Sequence, residues 1–102
     1  ISFNNFHIQK HPDEFEPNYH AFYIIIDENR DDLINHLHKK GIQSYIGYVP
    51  LHSSTYSKNN NFYNNLETTD YISERVLRLP LHTNLKIKDI DYISESLKSF
   101  FK

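Results

Sequence analysis

Apolar and polar positions alternate along this chain in runs short enough to read one by one. Residues 1–18 carry many polar side chains, Pro12 and Pro17, and little periodicity. They read as an extended lead-in, with a short strand near Ser2–Ile8. "YHAFYIII", Tyr19 to Ile26, is a near-continuous apolar and aromatic run rich in β-branched residues and predicts a buried central strand. In "DENRDDLINHLHKKGI", Asp27 reads as the N-cap, acids crowd the first turn, and Lys39 and Lys40 occupy the last. Gly41 sits where a helix-ending glycine belongs, and Leu33, Ile34 and Leu37 form the apolar stripe. "QSYIGYV", Gln43 to Val49, reads as a second strand, so strand, helix and strand suggest a βαβ-like unit.

The second half begins with a loop over about 50–58, followed by asparagines around Phe62 and Tyr63. Thr68 or Thr69 is placed to cap a helix over Asp70–Leu77, with Ile72, Val76 and Leu77 inward. "LRLPLH" predicts a short strand ended by Pro80. A last helix starts near Lys88, its stripe formed by Ile90, Ile93, Leu97 and Phe100 or Phe101. The sum is an α+β domain over 19–102, a small sheet with helices mainly on one face.

Composition narrows the picture. The 102 residues suit one domain, and eight tyrosines and seven phenylalanines make a core feasible although only 38% of residues are hydrophobic. A net charge of −2 without a basic block argues against nucleic-acid binding. No apolar run is long enough to span a membrane, and "ISFNNFHIQK" lacks the regions of a signal peptide. The absence of cysteine excludes disulfides and fits a reducing, cytoplasmic setting. The chain opens on Ile1 and contains no methionine, which reads as a piece of a longer protein or a processed chain.

Few residues point to chemistry. Of the seven histidines, the two on the predicted helix, His36 and His38, are two apart and diverge by about 200° instead of forming an i, i+4 pair, so both read as solvated and no metal site is expected. Asp27, Glu28, Asp31 and Asp32 are explained by the helix N-terminus they flank, and Asp89, Asp91 and Glu95 likewise. Two glycines cannot build a phosphate-binding loop. Ser53 or Ser54 beside His52 does not make a triad by adjacency. "GYVPLHSSTY", Gly47 to Tyr56, stands apart: Pro50 keeps Val49 extended, Leu51 is expected to tuck into the core, and His52 to project among hydroxyls. Taken alone, this loop reads equally as a surface turn or a ligand contact.

Four stretches in order resemble one family: His20, Phe22 and Tyr23 of the first long strand; Gly41 and Ile42; Tyr48, Pro50, Leu51 and His52; and "SERVLRLPL", Ser73 to Leu81. Together they look like the C-terminal small domain of the fold-type I, pyridoxal phosphate-dependent nucleotide-sugar aminotransferases. Within these, the transaminases that make dTDP-4-amino-4,6-dideoxygalactose are the nearest in pattern. The resemblance covers about residues 10–102. It implies a cytoplasmic parent enzyme, a homodimer, that moves an amino group from glutamate to a nucleotide-linked keto-sugar for lipopolysaccharide or other cell-surface polysaccharide precursors. It places His52, with Tyr48 and Tyr56, toward the substrate. Many relatives have a proline soon after this histidine where the chain has Ser53-Ser54-Thr55, which puts the path of the loop in question. The Schiff-base lysine, the carboxylate at the pyridine nitrogen and the phosphate cradle resemble features of a large domain. The 102-residue chain is therefore expected to carry no catalytic residue, to hold no cofactor, to partner that large domain and to be inactive alone. The alternative is a free-standing, non-catalytic α+β binding or interaction module.

Overall fold

The computed structural model describes residues 6–47, 49–62 and 65–101. Among them, three strands form one sheet in the order β1 (Phe6–Ile8), β2 (Phe22–Ile26), β3 (Val76–Leu79), with both pairings antiparallel. β2 is central, as its apolar run predicts, but among the described residues its two faces are buried unequally. Ile24 and Ile26 are buried, whereas Tyr23 and Ile25 are half-buried on the opposite face. Leu77 and Leu79 of β3 lie opposite Ile24 and Phe22, so the buried side chains of the two strands share one face. The lead-in is partly built into the sheet through β1; Ser2–Asn5 of the expected strand fall outside the described residues.

Helix α1 (Arg30–Lys39) packs Leu33 and Leu37 onto that face, and the last helix, α4 (Ile87–Phe100), adds Leu97. Phe6, Ile34, Ile93, Phe100 and Phe101 close around this core. The architecture is thus α+β with helices on one face, as expected. α1 begins later than the sequence suggests. Its N-cap is Asn29, held at φ 64°, a left-handed conformation that asparagine tolerates better than most side chains. Asp27 instead accepts a 3.1 Å hydrogen bond from His7 Nε2. The C-terminus matches expectation: Gly41 at φ +78° lets its own N–H reach the His38 carbonyl and that of Ile42 the Leu37 carbonyl.

Four further expectations are corrected. Among the described residues of the expected strand over 43–49, only Tyr45 bridges, antiparallel, to Arg78, so no parallel βαβ unit is present among the described residues. Helix α3 spans Glu67–Ser73 with Leu66 as N-cap, so neither Thr68 nor Thr69 caps it. Val76 and Leu77 belong to β3, because pairing with Ile25 and Ile24 of β2 wins over helical continuation. Finally, His36 is not on a solvated face. Its Nε2 lies 2.9 Å from the Ser96 carbonyl and 3.0 Å from Ser99 Oγ, and its ring stands edge-on to Phe100, tying α1 to α4.

Candidate functional site

The segment from Pro50 to Phe62 is built from two short helical turns. Pro50 precedes a 3-10 turn, Leu51–Ser53, and α2 (Thr55–Asn59) follows at once. The hydroxyls explain how two turns fit so closely. Ser54 accepts the Ser57 N–H at 3.2 Å as N-cap of α2 and donates to the Leu51 carbonyl at 2.8 Å. The buried Ser57 hydroxyl donates to that same carbonyl. Asn61 at φ 60° then turns the chain so that the Phe62 N–H reaches the Ser57 carbonyl at 2.7 Å. The serine-rich composition is therefore capping chemistry. With Ser54 turned to the Leu51 carbonyl and Ser53 to that of Pro50, these hydroxyls serve the backbone and not His52.

The side chains emerge differently from expectation. Leu51 is 85% exposed and anchors nothing in the core, because the 3-10 turn carries it outward. His52 points in: its side chain is only 8% exposed and its Nε2–H donates to Asp70 Oδ1 at 2.7 Å. Asp70 sits on α3, 18 residues away, and no spacing in the sequence signals that partnership. Tyr56 is 69% exposed, with its ring 6.2 Å from that of Phe62. Tyr48, the third expected substrate contact, lies outside the described residues.

The support continues behind α3. Arg30, at the start of α1, donates to the Ser73 carbonyl at the end of α3 and, at 3.5 Å, to the Val76 carbonyl. Its Nε is buried and faces Asp31 Oδ1 at 3.7 Å, an ion-pair distance too long for a hydrogen bond. Arg75 donates to the Tyr71 carbonyl and lays its guanidinium 3.8 Å above the Tyr71 ring. The 50–62 segment is thus clamped through His52 to α3, and α3 through Arg30 to α1. The result is a rigid ledge that presents Leu51, Tyr56 and Phe62 outward.

This ledge suits contact and orientation of a partner molecule more than bond making. Among the described residues, no three of His, Asp and Glu lie together as metal ligands. The described lysines are exposed, except Lys98, whose Nζ is paired with Glu95 Oε1 at 3.2 Å. No described helix is long and apolar enough to cross a membrane.

Residues 2–98 match the family model of the DegT/DnrJ/EryC1/StrS aminotransferases. Solved structures similar to this chain include the sugar aminotransferase CalS13 from Micromonospora echinospora, with a TM-score of 0.85 at 18% identity over 95% of this chain and 26% of that one. A DegT/DnrJ/EryC1/StrS aminotransferase from Brucella abortus aligns with a TM-score of 0.81 at 30% identity over 94% of this chain and 26% of its own. The putative sugar aminotransferase Spr1654 from Streptococcus pneumoniae, in its PLP form, aligns at 0.73 and 30% identity over 93% of this chain and 26% of its own. The chain therefore spans about a quarter of the solved chains it resembles.

Proposed function

Because the chain belongs to the DegT/DnrJ/EryC1/StrS aminotransferase family, we propose that it is the C-terminal small domain of a sugar aminotransferase that works with pyridoxal phosphate. In this reading the whole polypeptide moves an amino group from glutamate to a nucleotide-linked keto-sugar, supplying amino sugars for cell-surface polysaccharide or lipopolysaccharide. The setting is the cytoplasm and the active form a homodimer. Pyridoxal phosphate, bound by the large domain, supplies the electron sink for transfer of the amino group. The observation that carries the reading is the family match over residues 2–98 in a chain that spans about a quarter of its solved relatives.

The small domain then has a positioning task. The clamped 50–62 ledge offers the exposed hydroxyl and ring of Tyr56, with Tyr48 before it, to the sugar-nucleotide. His52 serves the substrate through the ledge, since its Nε2 is engaged by Asp70. The chain alone is inactive in this reading. Incubated with pyridoxal phosphate and borohydride, it should yield no stoichiometric adduct at one lysine; such an adduct would put the cofactor-binding lysine in this chain.

The decisive assay uses the full-length polypeptide with pyridoxal phosphate, glutamate and a dTDP-4-keto-6-deoxy sugar. Mass spectrometry should find the amino sugar and 2-oxoglutarate in equal amounts. A cofactor-loaded enzyme that aminates no nucleotide keto-sugar would refute the proposal.

A further inference from the structure

Helix α3 is not held in place by packing. None of its seven residues is buried, and its N-cap, Leu66, makes no side-chain capping bond. A helix this short gains little from its own hydrogen bonds and ordinarily takes its place from an apolar face laid on a core. The 50–62 segment is in a similar position: of α2 only Ser57 is buried, and its hydroxyl serves the Leu51 carbonyl of the same segment. Both pieces are placed by polar bonds, and one line of those bonds runs back to Arg30.

Arg30 is rooted where these pieces are not. It opens α1, whose Leu33 and Leu37 are fully buried, and its own side chain is only 16% exposed. Its Nη1 donates to two carbonyls, that of Ser73, the last residue of α3, and that of Val76, the first of β3. Glu74 and Arg75 are the joint between the two elements. One guanidinium thus spans the joint and fixes the angle at which α3 meets the sheet. A cation at this end also complements the carbonyls that a helix leaves unpaired at its C-terminus. Asp70 lies on the same last turn, three residues before Ser73, and reaches His52 at 2.7 Å. The ledge that carries Tyr56 is therefore set by an angle that Arg30 holds, although Arg30 is no part of the ledge.

We infer that Arg30 is a positioning residue for the nucleotide-linked keto-sugar, acting through α3, Asp70 and His52 without touching the sugar-nucleotide. The inference rests on the reading of the 50–62 ledge as a substrate contact of a sugar aminotransferase. Releasing the brace lets α3 swing about Glu74 and Arg75 and carries Asp70, and with it the ledge, out of register. Substrate then meets a ledge that must first be ordered, so binding weakens while the transfer itself keeps its rate. Lysine is a partial substitute, because an ammonium on a flexible stem does not hold its donors in the fixed directions of a planar guanidinium.

Two measurements on the full-length polypeptide test this, with Arg30→Met, which keeps an apolar stem, and Arg30→Lys, which keeps the charge. The first is amide hydrogen exchange read by mass spectrometry, which needs no turnover. In Arg30→Met, peptides from 50–62 and 67–73 should exchange about tenfold faster, while those of β2 and α4 keep the parent rate. Arg30→Lys should fall between. The second is steady-state kinetics: Arg30→Met should raise KM for a dTDP-4-keto-6-deoxy sugar about tenfold, with kcat and KM for glutamate unchanged. Faster exchange in 67–73 alone would overturn the inference, since Arg30 would then hold α3 and not the ledge. Faster exchange throughout both variants, β2 and α4 included, would overturn it as well, making Arg30 a residue of the fold at large; if Arg30→Met alone unfolds, the Arg30→Lys profile decides. A loosened 50–62 segment with an unchanged KM for the sugar would overturn the positioning role. A parent polypeptide that aminates no nucleotide keto-sugar rejects the enzymatic reading and the sugar with it, whereas an unchanged exchange profile in an active enzyme rejects the brace alone.

Discussion

Removing the His52 imidazole should loosen the 50–62 ledge and cost measurable stability, although the residue sits in a surface segment. In His52→Ala the lost bond is a 2.7 Å contact between a nearly buried ring and a carboxylate. Hydrogen bonds to charged groups contribute about 1.5–3 kcal/mol. The Asp70 side chain is 34% exposed, so water replaces part of what it loses and the lower end applies, about 1.5–2 kcal/mol. Ordinary surface substitutions stay within about 0.5 kcal/mol, so the two cases separate cleanly in a urea titration. The stronger form of the test is a double-mutant cycle with Asp70→Ala. If the pair acts as a clamp, the second substitution should cost much less once the first is made, giving a coupling of about 1 kcal/mol or more. Additive effects, or a His52→Ala midpoint equal to that of the parent, would refute the clamp and return His52 to the role of a free contact residue.

Leu97→Ala should destabilise the domain by about 2–5 kcal/mol, read from the denaturant midpoint, because Leu97 is the buried anchor of α4. Leu51→Ala should leave the midpoint within about 0.5 kcal/mol, since the side chain is out in solvent; a large loss would mean that it packs inward after all. Gly41→Ala has open space for its methyl group, so its cost is purely that of the left-handed backbone, about 1–2 kcal/mol in a thermal or urea melt.

The two long helices were legible because their burial follows a helical period that the sequence displays: Leu33 and Leu37, then Ile93, Leu97 and Phe100. Gly41 was legible because its residue type alone permits the conformation cheaply. The region between was harder for a physical reason. Ile72 and Val76 have helical spacing, yet Val76 is drawn into β3 by pairing with a strand some fifty residues upstream. Similarly, residues 43–49 have strand composition, but among the described ones only Tyr45 finds a strand partner. The candidate site was recognised as unusual, yet its direction was misjudged. The hydroxyls beside His52 leave surface turn and ligand contact equally open in the sequence, whereas Ser54 caps a short helix, and His52 is expected to point outward for want of any sign of Asp70. Local signals set local structure; the partner across 18 residues is settled by tertiary packing.

The order of the sheet also governs how the chain assembles in time. β1 and β2 pair across a short span, Ile8 with Ile24, whereas Ile25 meets Val76 only after 51 residues have been gathered in. Loop closure scales with the logarithm of length, so the second pairing costs about 1 kcal/mol more in chain entropy than the first. During synthesis β2 leaves the ribosome well before β3, with the apolar side of Ile24 and Ile26 uncovered and one hydrogen-bonding edge unmatched. α1 follows directly and is the first of the described elements able to shield that side. Folding of this chain should therefore be slow for its size, as for other topologies rich in distant contacts. Its exposed intermediate is a β1–β2–α1 unit whose open edge waits for the strand that Pro80 ends.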